Sequence, residues 1–359
     1  MHLVWDGWIW GDNSFAIINR NIVGALHRIG VDVRLEAWND DQERANRARF
    51  IDYDLLLELS KLEKDFSTAV TVRQSWPLMA PYYNPCYDWS AIQGRTRIGF
   101  FVWESEHMPR AWVEAAGHVD AIITISPFSA QRVEHELRSF GVLTPVWSIP
   151  LGVDRRLFHP GCAPRTLLTA RSFRFLSVGA QLRKGTDILL EAYLKEFSSA
   201  DDVTLVIASH VDVSGVPRGE STTPHILVVR DVLSDVRMGG LYTACQCLVS
   251  PTRLEGFGMT ILEAMACGIP VLCSDQGGQK VFARDDNAWL LPTDEEQFVF
   301  PFDLRGTAYR VKVDELRHAM RTVFQGRYRT ERITRGLETA DRFSWERCAK
   351  RIVAHIQTL

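Results

Sequence analysis

Neither sign of charge dominates this sequence of 359 residues, because 41 basic residues stand against 44 acidic ones and give a formal net charge of −3. Nothing in this balance indicates nucleic acid or a membrane as a bulk partner, although local basic clusters are possible. No run approaches the about 18 apolar residues of a membrane span, and no basic segment followed by an apolar one opens the chain. We therefore expect a protein that works from the aqueous side, with a peripheral membrane contact left open.

The spacing of the cysteines is not that of a disulfide-bonded protein. The seven cysteines are odd in number and form no C-x-x-C motif, and Cys245 and Cys247 lie two positions apart beside a predicted strand. Cysteines of this kind are typical of reduced thiols in a core rather than of a disulfide framework. They favour a cytoplasmic location.

Apolar runs rich in valine, isoleucine and leucine recur along the chain, separated by segments of helical periodicity. The first series covers residues 3–5, 31–35, 69–72, 98–102, 121–125 and 146–149. The second series covers residues 173–178, 203–208, 226–229, 247–250 and 271–273. Alternation of strands and helices predicts βαβ units and parallel sheets covered by helices. The α/β chain should therefore contain two such sheets.

A segment dense in proline and glycine, residues 150–164, separates the two series and predicts an interdomain linker. The chain is long enough for two domains with full cores. We predict an N-terminal domain over 1–155 and a C-terminal domain over 165–342. The amphipathic segment 343–359 predicts a helix with Ser344 as its N-cap.

A loop with two glycines, Gly256 and Gly258, connects the strand of residues 247–250 to a helical pattern. The glycines permit a tight turn, and the unpaired amides of the helix that follows suit a phosphate. Glu255 and Glu263 would repel phosphates, so we place them at the sugar ends of a ligand, where carboxylates accept hydrogen bonds from hydroxyls. The alternative is a helix start with two solvated glutamates.

Seven residues separate Glu255 from Glu263, with Gly-Phe-Gly after the first glutamate and a helix of small residues after the second. This motif resembles the nucleotide-sugar site of the family 4 retaining glycosyltransferases, which have the GT-B fold. The phrase Pro-Leu-Gly-Val-Asp from Pro150 matches the linker of that family. The resemblance implies two Rossmann-like domains whose parallel sheets face each other across a cleft, with helix 343–359 joining the N-terminal domain.

The resemblance also implies roles for residues of the C-terminal domain. Glu263 would hold the ribose hydroxyls of the donor, and Glu255 would hold the hydroxyls of the donor sugar. The main-chain amides of Gly258, Met259 and Thr260 would bind the distal phosphate.

Two basic residues belong to a second landmark of the family. Lys184 matches a lysine that reaches the diphosphate as a fixed positive charge. Many members carry an arginine where this chain has Ala180, which leaves Arg183 as a candidate substitute. The alternative for both basic residues is neutralisation of a corner between helix and loop. The nucleobase would be held through the main chain of Asp231, Val232 and Leu233.

The first loop of the N-terminal domain, residues 7–14, lies in this family over the cleft near the donor phosphates. Gly11 is the candidate there for contact with the donor. The loop is unusual in carrying Trp8 and Trp10. These rings could stack on a sugar or pack the loop down.

A cluster of ionisable residues follows the strand of residues 98–102, where open α/β sheets bind their ligands. Either Glu104 or His107 could face the reacting sugar. The alternative is that Glu104 and Glu106 only cap the helix that follows. Arg73 suggests a further hypothesis, a phosphate or carboxylate on the acceptor.

These features predict a retaining, metal-independent glycosyltransferase that moves a sugar from a UDP- or GDP-type donor to a hydroxyl of a glycan or lipid-linked acceptor. No cofactor is expected besides the donor, because Lys184 and helix amides can neutralise the diphosphate and no Asp-x-Asp lies on a predicted loop. The candidate catalytic residues are Glu255, Lys184, Glu104 and His107. A GT-B epimerase or sugar-phosphate synthase, and a non-catalytic sugar-binding module, remain as alternatives, and the oligomeric state is open.

Overall fold

The computed structural model describes residues 1–38, 50–74, 88–216, 224–230, 235–299, 305–327 and 330–359. The chain divides into two compact units. Unit 1 comprises Met1–Gly152, Val299–Gly306 and Phe343–Leu359, and unit 2 comprises Val153–Phe298 and Thr307–Arg342.

Unit 1 is built on a parallel sheet with the strand order β2-β1-β3-β4-β5-β6. Its strands are β1 (His2–Trp8), β2 (Asp32–Trp38), β3 (Val70–Gln74), β4 (Thr96–Phe100), β5 (Ala121–Thr124) and β6 (Val146–Ser148). Its first helices are α1 (Ser14–Arg28), α2 (Tyr53–Lys61), α3 (Arg110–Ala116) and α4 (Pro127–Ser139). The interior of β1 and all of β5 are buried, as expected for strands covered on both faces.

Unit 2 is built on a parallel sheet with the order β12-β11-β10-β7-β8-β9. Its strands are β7 (Phe173–Val178), β8 (Val203–Ala208), β9 (His225–Val229), β10 (Cys247–Ser250), β11 (Val271–Ser274) and β12 (Trp289–Leu291). Helices α5 (Thr186–Glu196), α6 (Asp235–Thr243) and α7 (Met259–Ala266) connect them. A two-stranded sheet of β13 (Thr293–Val299) and β14 (Arg305–Val311) precedes α8 (Val313–Phe324) and α9 (Thr330–Arg342).

The last helix, α10 (Trp345–Ile356), belongs to unit 1 and packs on α1. Its N-cap is Ser344, as predicted, whose hydroxyl accepts a hydrogen bond from the amide of Arg347 at 3.2 Å. The Nε of Arg28 on α1 donates to a carboxylate oxygen of Glu346 at 2.9 Å. A Cβ atom at Gly152 would lie 2.3 Å from the carbonyl carbon of Ser344, so two backbones touch where the helix begins.

The predicted fold class is confirmed. All eleven strands expected from the apolar runs are present and pair in parallel within two separate sheets. Strands β12, β13 and β14 were not predicted. Within the described ranges, none of the helices is long and apolar enough to cross a membrane.

Candidate active site

The strand order of unit 2 predicts where in this unit a ligand binds. After β9 the chain returns past β7 and continues the sheet on the other side with β10, so that β7 and β10 are neighbours. Open α/β sheets bind ligands at such a switch point, outside the carboxyl ends of the two strands. The loops that follow β7 and β10 carry Lys184 and Glu255.

The loop after β10 is held in shape by glycines. Gly258 has a φ of 91° and is the N-cap of α7, a left-handed conformation that favours glycine. The amide of Gly278 donates to the carbonyl oxygen of Glu255 at 2.6 Å. A Cβ atom at Gly278 would lie only 1.8 Å from the carbonyl oxygen of Gly256. The backbone of Glu255 is therefore fixed by a second glycine segment that the sequence analysis did not single out.

Lys184 and Glu255 form an ion pair, with Nζ and Oε2 separated by 2.6 Å. Both side chains are largely buried, with 17% and 10% of their surface exposed. The other carboxylate oxygen of Glu255 accepts a hydrogen bond from the amide of Gly258 at 3.2 Å. Burial favours a raised pKa for Glu255, but the charges of Lys184 and Arg183 and these hydrogen bonds lower its pKa below the usual value.

The structure brings Met259 and Thr260 into the first turn of α7, where the amides have no intrahelical acceptor. Arg183 lies beside the same loop, and its Nη1 donates to the carbonyl oxygen of Leu254 at 3.0 Å. Lys184 ends a short 3-10 helix, Leu182–Lys184, immediately before α5. Two loops distant in sequence thus place two cations and one carboxylate next to a helix N-terminus.

Glu263, one turn further along α7, contacts α6. The hydroxyl of Tyr242 donates to the Oε2 of Glu263 at 2.6 Å. Tyr242 is fully buried, and its burial together with the neighbouring carboxylate raises its pKa well above the usual value. Tyr242 was not among the residues predicted from the sequence, because it belongs to none of the recognised motifs. The nucleobase candidates Asp231, Val232 and Leu233 lie outside the described residues.

Unit 1 has its own switch point between β1 and β3. The carbonyl oxygen of Gly11, in the loop after β1, accepts a hydrogen bond from Nη1 of Arg20 at 2.6 Å. Trp10 is fully buried and packs on Tyr53 with the ring centroids 5.0 Å apart. Of the two uses open to this tryptophan, the structure supports packing of the loop. Trp8 is half-buried.

His107 is 58% exposed, and its Nδ1 lies 3.4 Å from a carboxylate oxygen of Glu136 on α4. The carbonyl oxygen of His107 accepts a hydrogen bond from the indole of Trp103 at 3.0 Å. Glu104 is half-buried in the same turn. Helix α3 begins at Arg110 with Pro109 as N-cap. Both candidates therefore follow β4 in unit 1, close together in one turn.

Arg73, the residue behind the hypothesis of an acceptor anion, has partners inside unit 1. Arg73 is 8% exposed, and its Nε donates to a carboxylate oxygen of Asp6 at 2.7 Å. Its Nη1 donates to the carbonyl oxygen of Asp88 at 2.7 Å, and its guanidinium lies 5.7 Å from the ring centroid of Trp38. The charge is thus compensated inside unit 1 by a partner 67 positions away in the sequence.

Comparisons with known proteins find similarity in sequence over part of the chain and similarity in fold over all of it. Residues 172–300 match the family model of glycosyl transferases group 1. D-inositol 3-phosphate glycosyltransferase of Segniliparus rotundus is 27% identical over 205 residues, which cover 54% of this chain and 42% of the relative. Lipopolysaccharide core biosynthesis mannosyltransferase LpsB of Rhizobium meliloti is 28% identical over 179 residues, which cover 42% of this chain and 48% of the relative.

The chain thus spans less than half the length of these two relatives. Among solved structures, Anabaena Alr3699/HepE in complex with UDP superposes with a TM-score of 0.64 at 14% identity, covering 100% of both chains. That likeness establishes the fold. Residues 172–300 thus match the model of glycosyl transferases group 1, and the predicted GT-B fold is confirmed.

Proposed function

We propose that the protein is a retaining glycosyltransferase that moves a sugar from a nucleoside diphosphate sugar to a hydroxyl of a glycan or lipid-linked acceptor. The observation that carries this proposal is the buried pair of Lys184 and Glu255 at the switch point of unit 2, beside the first turn of α7. A cation and free amides suit a diphosphate, and a carboxylate beside them suits the hydroxyls of the attached sugar.

The reaction requires charge stabilisation, because negative charge builds up on the diphosphate as the bond to the sugar breaks. Lys184 and the amides of Met259 and Thr260 would stabilise that charge, and we propose that they do so without a metal ion. Glu255 would orient the donor sugar through its hydroxyls. Glu263, held by Tyr242, would bind the ribose.

The relatives guide the proposals for donor and acceptor. The solved complex holds UDP, and the Rhizobium relative is a mannosyltransferase of lipopolysaccharide core biosynthesis. We therefore propose a UDP- or GDP-type donor and an acceptor of the glycan or lipid-linked class. Glu104 and His107 are the candidates in unit 1 for contact with the reacting sugar.

The test is nucleotide release from a panel of UDP, GDP and ADP sugars, measured with and without candidate acceptors. We expect release that depends on an acceptor and survives a chelator. Lys184→Ala and Glu255→Gln should each lose about a hundredfold or more of that activity while remaining folded. The matched control is Lys195→Ala, which removes an exposed pair with Glu191 on α5.

Other outcomes would identify the alternatives. A free-sugar product or an epimerised donor without any acceptor would indicate an epimerase or a synthase. Nucleotide-sugar binding without turnover would indicate a binding module. Near wild-type kcat/KM in both Lys184→Ala and Glu255→Gln would exclude this site as the catalytic one.

A further inference from the structure

Arg253 is a buried arginine to which the proposed reaction gives no role. It lies in the loop after β10, two positions before Glu255, and only 5% of its side chain is exposed. A guanidinium is buried at little cost only where carboxylates and other hydrogen-bond acceptors surround it. The partners of Arg253 therefore indicate what it does.

The guanidinium binds the segment that carries Lys184. Its Nη1 donates to the carbonyl oxygen of Leu182 at 2.7 Å, and Nη1 and Nη2 donate to the two carboxylate oxygens of Asp187 at 2.6 and 2.7 Å. Paired bonds of this kind fix orientation as well as distance. Leu182 lies two positions before Lys184 and Asp187 three positions after it, so Arg253 holds both ends of the turn.

Main-chain contacts join the same two segments. The amide of Arg253 donates to the carbonyl oxygen of Arg183 at 2.9 Å, and Nη1 of Arg183 donates to the carbonyl oxygen of Leu254 at 3.0 Å. A Cβ atom at Gly185 would lie 2.0 Å from a main-chain oxygen of the loop after β10. The turn of Lys184 thus rests directly on the backbone of the loop that carries the glutamate.

The sheet of β13 and β14 contacts Arg253 from a third side. The Nε pairs with Glu296, and the guanidinium carbon lies 5.6 Å from the ring centroid of Phe298. The carbonyl oxygen of Arg253 accepts a hydrogen bond from the amide of Tyr309 at 3.1 Å. Protein acceptors therefore meet the guanidinium at Nε and at both terminal nitrogens, so its contacts in the structure join segments of the protein itself.

We propose that Arg253 is a positioning residue that fixes the turn of Lys184 against the loop of Glu255, and so holds the ammonium where the donor diphosphate binds. The placement of the turn of Lys184 against the loop of Glu255 is supported by the contacts of Arg253 described above. Its consequence for donor binding rests on the proposed function. Lysine cannot replace Arg253, because a single ammonium cannot reach Leu182, Asp187 and Glu296 together.

Arg321 is the matched control. It lies on α8 in the same unit, and its Nε and Nη1 donate to Glu196 and Asp201 at 2.7 and 2.8 Å. Its guanidinium carbon lies 4.4 Å from the ring centroid of Phe197. Removal of either arginine breaks a similar set of bonds, and only Arg253 contacts the turn of Lys184.

The first experiment is a crystal structure of Arg253→Met, with Arg253→Lys as the second variant should methionine prevent folding. We expect the separation of Lys184 Nζ and Glu255 Oε2 to exceed the 4.0 Å limit of an ion pair, against 2.6 Å in the wild type and in Arg321→Met. A separation that stays at 2.6 Å would overturn the inference, whatever the protein binds.

The second experiment is a double-mutant cycle of Arg253→Met and Lys184→Ala, with UDP and GDP affinity measured by calorimetry below the melting temperature of every variant. We expect Arg253→Met to weaken binding about tenfold in the wild-type background and less than about twofold in Lys184→Ala, because it acts through the lysine. Arg321→Met should lower the melting temperature and leave affinity unchanged.

The results of these two experiments distinguish the positioning role of Arg253 from the proposed function. Absence of nucleotide binding by the wild type would count against the proposed function, while the crystallographic distance would still decide the geometric claim. Equal effects of Arg253→Met on affinity in both backgrounds would show that the arginine acts independently of Lys184. That result would overturn the inference and leave the proposed function intact.

Discussion

Lys184→Met should destabilise the protein by an amount that grows with pH. The substitution removes the ammonium 2.6 Å from Glu255 and leaves a carboxylate with 10% of its side chain exposed and one hydrogen bond, from the amide of Gly258. Removal of one partner of a buried ion pair costs about 3 to 5 kcal/mol. Because Lys184 retains 17% exposure, we expect the lower end, about 3 kcal/mol of unfolding free energy near neutral pH.

The pH dependence follows from the pKa of Glu255. In the wild type this pKa is lowered, so the carboxylate contributes stability that is present above its unfolded pKa and lost as pH falls through the folded value. In Lys184→Met the charge of Arg183 and the Gly258 amide still lower the pKa of Glu255, but burial is the largest influence on it. We therefore expect a raised folded pKa and a loss of stability as pH rises through that value. The difference between the two proteins should therefore widen from about pH 5 to about pH 7.5.

The assay is urea unfolding at both pH values, followed by tryptophan fluorescence. The control is Lys195→Met, which removes a lysine 2.8 Å from Glu191 on the exposed face of α5. An exposed pair of this spacing is worth about 0.5 kcal/mol or less and should show little dependence on pH in this range. A loss in Lys184→Met no larger than in Lys195→Met, at both pH values, would refute the reasoning that the pair is buried.

Two further predictions concern residues that hold the same site in place. Tyr242→Phe removes the hydrogen bond to Glu263, so it should lower the unfolding free energy by about 1.5 kcal/mol and weaken UDP or GDP binding. Urea titration and calorimetry measure the two effects, and unchanged values in both would contradict the contact. Gly278→Ala would bring a Cβ to 1.8 Å from the carbonyl oxygen of Gly256 and should lower the unfolding free energy, measured in urea, by about 3 kcal/mol. In the control Gly336→Ala, on α9, the added Cβ meets no atom closer than 3.4 Å, and the unfolding free energy should not fall. Equal stability of the two glycine variants would rule out the backbone collision.

The sheets were predictable because their strands are buried on both faces and read as continuous apolar runs, such as Cys247–Ser250 and Val271–Ser274. Strand β13 was not predictable by that signal. Its sequence, TDEEQFV, carries three consecutive acidic residues, and four of its seven residues are exposed and none is buried. A strand of an exposed two-stranded sheet contributes too little to a core to show the pattern.

The main residues of the candidate site could be chosen from the sequence, but their partners could not. Glu255 and Lys184 belong to recognisable motifs, yet they are 71 positions apart and nothing in the sequence predicts a direct bond between them. Arg253 lies inside the longer motif and looks like any charged loop residue, because its importance comes from Asp187 and Glu296 on other elements. The partner of Arg73 was equally unpredictable, since Asp6 pairs with it from another strand.

The placement of α10 has a consequence for how the protein forms during synthesis. The chain leaves unit 1 after Gly152, returns to it briefly at Val299–Gly306 and again at Phe343, and forms unit 2 with the segments in between. Helix α10 buries Cys348, Ala349 and Ile352, and its start touches the backbone of Gly152. A ribosome extends the chain from the N-terminus and lets domains fold as they emerge. The first unit to be translated therefore cannot complete its core until helix α10 is made, whereas unit 2 ends at Arg342 and can be complete before it.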